Sequence, residues 1–283
     1  METRRGSIAK AMLPKLRSYL DELKWIYSVT PDAHNWFRLS LASVGFHLSN
    51  AMNRSENLRP EKARRYTMWA GQKLIDVWIR PRSGDVFVLH EVIGESTYEV
   101  PQLKEPEVVV DLGANIGMST VYLAARFPKA RFICVEPDPA NVVLLALNTR
   151  HLDNVEIVQG AAAGESGQRT FHIGDRSWAG GLEGAGRDET VRAWSMNEVI
   201  ETFGISRVGL LKVDIEGAET ELFSVNAEWL SKVDYIIAEL HPPYGIEQFE
   251  KEVGAWGLNV IPPEKGLGNN LPVAIRPESP PQA

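Results

Sequence analysis

Four short stretches carry side chains whose types and spacing could do chemistry. Asp111-Leu-Gly113-Ala114-Asn115-Ile-Gly117 follows an apolar run of strand character. Glu136 closes the next such run, in Cys-Val-Glu-Pro-Asp. Lys212-Val-Asp214-Ile-Glu216 sets three charges on one side of an extended segment, and Glu239-Leu-His241 repeats that spacing further on. A strand-end acid or a Lys212–Asp214 ion pair can be purely structural, so the inference rests on the four taken in order.

Gly113 and Gly117 let backbone approach a ligand, and the helix that follows presents unpaired N–H groups to an anion. Their Gly-x-x-x-Gly spacing is not the dinucleotide fingerprint, which disfavours NAD or FAD. S-adenosylmethionine has no pyrophosphate, and its carboxylate needs only the smaller anion site. Asp111 could then receive its ammonium group. Glu136, with Pro137 beside it, could accept both ribose hydroxyls. Gly160 and Ala161, ending a third strand, would border the adenine, where small residues permit close approach.

His241, with a pKa near neutral, could remove a hydroxyl proton during methyl transfer. Alternatively, Asp214, Glu239 and His241 could bind a divalent metal that lowers the hydroxyl pKa. On the acceptor side the expected residues are Tyr98, Glu216 and Trp178, the last in a glycine-rich loop over 174–187. His241-Pro-Pro-Tyr invites comparison with the Asp/Asn-Pro-Pro-Tyr motif of amino-group methyltransferases, but its first residue is wrong and it falls one strand late.

The elements that must position these residues follow from periodicity. Residues 7–28 and 37–52 carry helical apolar stripes, with Thr30-Pro31 read as the second helix's start. Residues 59–70 are basic and read as helical. Strands are expected over 74–79 and 86–89, around a turn at 81–85. His90-Glu91 follows, without the second histidine of a zinc-protease motif. From residue 107, strands (107–111, 131–135, 155–159, 169–173, 208–213, 235–240, 258–261, 271–275) interleave with helices (116–125, 139–148, 196–203, 218–223, 246–253). Such alternation means an α/β domain with a mostly parallel sheet covered on both faces. The expected organisation is a helical arm or cap over 1–71, a β-hairpin lead-in over 72–106, the main domain over 107–276 and a disordered tail over 277–283.

Composition narrows the class. With 283 residues and 44% hydrophobic content, the chain can bury a sizeable core. The single cysteine, Cys134, excludes an intrachain disulfide and any Cys-x-x-Cys metal site. No apolar run reaches the roughly 18–20 residues of a membrane span. The charged start, Met1 to Arg5, lacks a secretory signal's apolar core, so a cytoplasmic protein without a transmembrane segment is expected. A net charge of −7 argues against a nucleic-acid partner. It is unevenly spread: residues 1–70 carry 12 Lys and Arg against 6 Asp and Glu, the remainder 18 against 31. The N-terminal helices could serve as a homodimer arm or as a lid on the substrate site.

Taken together, Val-Val-Asp-Leu-Gly-Ala-Asn-Ile-Gly (109–117), Val-Glu-Pro-Asp (135–138) and Leu-Leu-Lys-Val-Asp-Ile-Glu-Gly-Ala-Glu (210–219) resemble the FkbM-type methyltransferase family. Ile-Arg-Pro-Arg-Ser-Gly-Asp (79–85) and Tyr-Glu-Val-Pro (98–101) look like that family's lead-in. The resemblance implies a seven-stranded Rossmann-like sheet with its last strand antiparallel. It also implies S-adenosylmethionine-dependent O-methylation of a small-molecule hydroxyl on a sugar, polyketide or other natural product. By position, Asp111, Gly113, Asn115, Gly117 and Glu136 look like cofactor residues, and Asp214 and Glu216 fall on the family's acidic motif. N-methylation of an amine, and a methyltransferase-like domain that only binds, are the competing expectations.

Overall fold

The computed structural model describes residues 19–52, 56, 58–70, 73–100, 103–174, 187–263 and 271–277. A seven-stranded sheet organises the chain. Its strands are β3 (Val108–Leu112), β4 (Arg131–Glu136), β5 (Val155–Gln159), β9 (Leu210–Val213), β10 (Tyr235–Ala238), β11 (Asn259–Ile261) and β12 (Val273–Ile275), in the order β11-β12-β10-β9-β3-β4-β5. Only β12 runs against its neighbours β10 and β11, as expected. Side chains alternate across each strand, so both faces must be covered. One face buries Val109, Phe132, Cys134, Leu210 and Ile237. The other buries Val110, Ile133, Val135, Leu211 and Ile236.

Helices α4 (Met118–Arg126) and α5 (Pro139–Thr149) follow β3 and β4, while α6 (Met196–Thr202), α7 (Glu219–Ser224) and α8 (Ile246–Gly254) follow later strands. Between β5 and α6 the chain forms a three-stranded sheet of β6 (Ala161–Ala163), β7 (Gly167–Ile173) and β8 (Arg187–Ser195), ordered β6-β8-β7. Of these, only β7 was legible in the sequence. Ser195 caps α6 through Glu198 N, as its capping-box pattern predicts.

The N-terminal lead-in departs from expectation in three places. Helix α1 spans residues 19–29 of the described chain, and α2 is Ala33–Ala51. Asp32, not Thr30, caps α2 by accepting from Asn35 N at 2.8 Å, while Thr30 Oγ1 donates back to Ile26 O at the end of α1. Residues 64–70 are a strand, β1 (Arg64–Ala70), rather than helix, paired antiparallel with β2 (Lys73–Ile79). The period there is two: Tyr66 and Met68 are buried and their neighbours more exposed. The hairpin therefore lies N-terminal to its expected place.

The third departure is α3 (Asp85–Leu89), expected as strand, which runs on into a π-helical turn over His90–Gly94. Its start is fixed by a buried ion pair. Asp85 accepts from Arg80 Nε, Nη2 and backbone N, each at 2.8 Å, closing the 81–84 turn. Buried residues from Ile26 to Val100 join the same core as one face of the main sheet.

Candidate functional site

A cavity of about 320 Å³ opens beyond the carboxyl ends of β3, β4, β9 and β10, where the strand order reverses between β3 and β9. Its first wall is the turn after β3. Gly113 and Gly117 have φ of 75° and 88°, and Asn115 of 49°. A Cβ on Gly113 would stand 1.7 Å from Asp214 O, so the crossing of two strand ends there admits only glycine. Gly113, Ala114 and Asn115 line the cavity; Gly117, packed against Leu145, does not.

Glu136 faces the same space with both oxygens held. Oε2 accepts from Asn115 N at 2.8 Å, and Oε1 accepts from Asp138 N at 2.9 Å and Asn141 Nδ2 at 3.3 Å. Burial pushes its carboxyl up to about 7 against these hydrogen bonds. Pro137, Ala161 and Ala162 complete this side. Gly160 lies off the wall; a Cβ there would meet Arg192 O and the Trp194 ring.

Asp111 is not on the wall, contrary to expectation. Fully buried, it accepts from Ser119 Oγ at 2.7 Å and Thr120 Oγ1 at 2.8 Å, and it sits 3.2 Å from Lys212 Nζ. The Lys212 ammonium donates to Gly113 O at 2.7 Å and lies 3.6 Å from Asp214 Oδ2. Burial alone would lower the Lys212 pKa, but Asp111 and Asp214 raise it overall, so the lysine stays charged. It thereby ties β3, the glycine turn and β9 together. Tyr98, which lines the cavity, donates to Asp214 Oδ2 at 3.1 Å.

Another part of the lining is acidic. Glu91 from the π turn, Asp214, Glu216 and Glu239 all line it, with Phe87, Val88 and Val92 as its apolar part. Burial first, then the Glu239, Asp214 and Glu95 charges, push Glu91 up to about 7. Glu216 reaches about 7 by burial and the charge of Asp214, and Glu239 is raised by the same two causes. Sequence reasoning missed Glu91, because the segment read as strand and the His90-Glu91 pair was weighed only as a zinc motif. It missed the cavity roles of Lys212, Asp138 and Asn141 as well.

His241 also stands differently from expectation. It does not line the cavity. Nδ1 pairs with Glu219 Oε1 at 2.8 Å, and Nε2 lies 3.4 Å from Glu216 and 3.7 Å from Glu239. Burial alone would depress the imidazole pKa, but the Glu219 hydrogen bond and the Glu216, Glu219 and Asp214 charges push it up to about 9. At neutral pH it is an imidazolium, hence a charge partner for the carboxylates rather than a ready base. Asp214, Glu216 and His241 bring one donor atom each to within 4.8 Å of one another, a set that swaps Glu216 for the expected Glu239. Trp178 falls outside the described residues.

Comparison with known proteins gives a family match. Residues 111–256 match the model of the methyltransferase FkbM domain. The chain is similar to methyltransferase sdnD of Sordaria araneosa, 25% identical over 202 residues that take in 56% of this chain and 76% of that protein. It is likewise similar to 31-O-demethyl-FK506 methyltransferase FkbM of Streptomyces tacrolimicus, 26% identical over 194 residues, 55% of this chain and 74% of that one. Among solved structures, a methyltransferase FkbM from Methylobacillus flagellatus aligns at 13% identity with a TM-score of 0.46, covering 93% of this chain and 60% of that one.

Proposed function

This chain belongs to the methyltransferase FkbM-domain family, and on that footing we propose that it transfers a methyl group from S-adenosylmethionine to a hydroxyl of a small-molecule acceptor. The observation that carries the reading is Glu136, whose two oxygens are held by backbone donors at the cavity wall beside the glycine turn. Such a carboxylate is suited to the paired hydroxyls of a ribose. Ala161 and Ala162 leave room for a flat base next to it. Gly113, Ala114 and Asn115 would take the amino-acid end, with Asp214 in place of Asp111 as the carboxylate for its ammonium group.

When bound, S-adenosylmethionine supplies an activated sulfonium methyl, so the chain's own residues have mainly to orient the acceptor and manage one proton. Glu239 is the wall carboxylate suited to that proton. Burial and Asp214 raise its basicity, and the His241 imidazolium stands 3.7 Å behind it to balance the charge. Tyr98 and Glu216 would contact the acceptor. S-adenosylmethionine would supply the methyl group and leave as the neutral thioether S-adenosylhomocysteine, while Glu239 would take the proton from the acceptor hydroxyl. That the acceptor atom is oxygen is supported by the name of the Streptomyces tacrolimicus relative, a 31-O-demethyl-FK506 methyltransferase.

The test is isothermal titration with S-adenosylmethionine, followed by product mass spectrometry on sugar and polyketide hydroxyl acceptors. Absence of binding, or binding undiminished in Glu136→Ala, would sink the cofactor assignment. Methylated nitrogen in place of methylated oxygen would move the reading to an amine acceptor, for which the acidic wall is the favouring observation. Turnover that survives EDTA would remove any obligatory metal from the proposal.

A further inference from the structure

Helix α2 is apolar on two opposite faces. Leu39, Ala42, Ser43 and Phe46 are buried against the body of the protein, where α2 packs on β1 and α3. At 3.6 residues per turn, the face directly opposite carries Phe37, Leu41, Val44 and Leu48, continued by Met52 just past the helix end. These five are between 37% and 57% exposed. A helix with apolar residues on both faces belongs between two layers; among the described residues the outer face has none over it.

We propose that a second copy of this chain supplies it, through a two-fold pairing of α2 with α2. Spacing is the first argument. Positions 37, 41, 44 and 48 step by four, three and four, the seam that packs one helix against another. Charge is the second. The borders of the exposed arc are already engaged: Arg38 stacks over the Tyr66 ring at 5.0 Å, Gly45 abuts the Arg82 side chain, and His47 bonds Glu22 of α1. Between those borders lie only apolar residues, Ser40 and His34, with no Asp, Glu, Lys or Arg. Nothing there repels an identical face, and among the described residues of α2 the arc carries no basic rim to hold it on an anionic lipid surface.

Area is the third argument. The five stripe residues are joined at the start of the helix by the exposed Tyr27–Trp36 pair, whose rings lie 6.4 Å apart. At roughly 100 Å² for each half-exposed large side chain, the patch offers on the order of 700 Å², near what one partner gives to a standard interface. The interface would lie one layer from the cavity, because α3, on which α2 packs, carries Phe87 and Val88 to the acceptor wall. The inference does not depend on the methyl-transfer reading.

Sedimentation analysis of the full chain over a concentration series tests it, with Leu41→Glu/Leu48→Glu alongside. The wild type should reach twice the 31.5 kDa of one chain. The double variant, with unchanged circular dichroism, should raise the dimer dissociation constant at least about 10-fold. A second variant guards against misfolding: Val44→Cys, near the middle of the seam, should give a disulfide-linked dimer when its two thiols are oxidised by added diamide. A wild type that stays monomeric overturns the proposal, as does dimerisation indifferent to both glutamates. A Val44→Cys variant whose new thiol titrates but never cross-links also overturns it, and so does a monomer that instead floats with phosphatidylcholine–phosphatidylserine vesicles.

Discussion

Around Glu136 the cavity wall is held by backbone, through the N–H groups of Asn115 and Asp138 and a turn whose glycine cannot carry a side chain. Around Glu239 the carboxylates face other side chains: Glu91, Asp214 and Glu216 crowd one another, with Lys212 and the His241 imidazolium as counterions. Backbone donors are fixed by the fold and change little when the solution does. A crowd of buried carboxylates exchanges protons instead, so its charge depends on pH and on what occupies the cavity. The proposed methyl transfer would use that difference, with one side holding the cofactor and the other handling the acceptor's proton.

The sharpest way to break that contrast is at Gly113. Gly113→Ala should destabilise the fold by about 3 kcal/mol and remove S-adenosylmethionine binding, because its Cβ would overlap Asp214 O. Thermal melting and titration read both effects. Next comes the acceptor side: Glu239→Gln should lower kcat about 10²–10⁴-fold, the usual range for a lost general base, while cofactor affinity stays near wild type. An unchanged kcat would take the proton away from Glu239.

Glu136→Ala should weaken cofactor binding about 100-fold, as two hydrogen bonds to a charged group are lost. His241→Gln should cost less than about 10-fold in kcat if the imidazole only balances charge. A larger loss, with a rate profile rising through the histidine's own pKa, would restore it as the base.

Stability against pH draws on both sides of the cavity. Glu91, Glu136 and Glu216 each titrate near 7 in the fold, above their ordinary value of 4.5, and His241 near 9, above 6.5. Every one of these groups binds its proton more tightly folded than unfolded, so stability is lost as pH rises. The ligand-free protein should therefore melt at progressively lower temperature from about pH 5 to about pH 9. Glu91→Gln should flatten the lower half of that curve. A melting temperature that climbs with pH would show that the carboxylates are better compensated than the geometry implies.

From residue 107 onward the strands and helices other than β6 and β8 were legible, because each rests on the apolar period of its own few residues. Glu136 was legible for a similar reason, standing at a strand end beside a glycine turn. In the lead-in the same reasoning failed at 64–70 and 85–94. The basic residues of β1 masked a period of two, and Arg80 commits Asp85 to a helix start through a buried pair that no periodicity signals.

By itself, then, the sequence determined the sheet's composition, the glycine turn and the acid at the end of β4, all properties of contiguous residues. Only the tertiary structure decided that Asp111 turns inward to Lys212, that His241 is claimed by Glu219, and that Glu91 from the lead-in joins the acidic part of the cavity wall. The first two depend on charges brought within a few ångströms across 101 and 22 positions of chain, and the third on charges gathered from the lead-in and the ends of β9 and β10. Their burial and mutual fields exist only once the fold has formed.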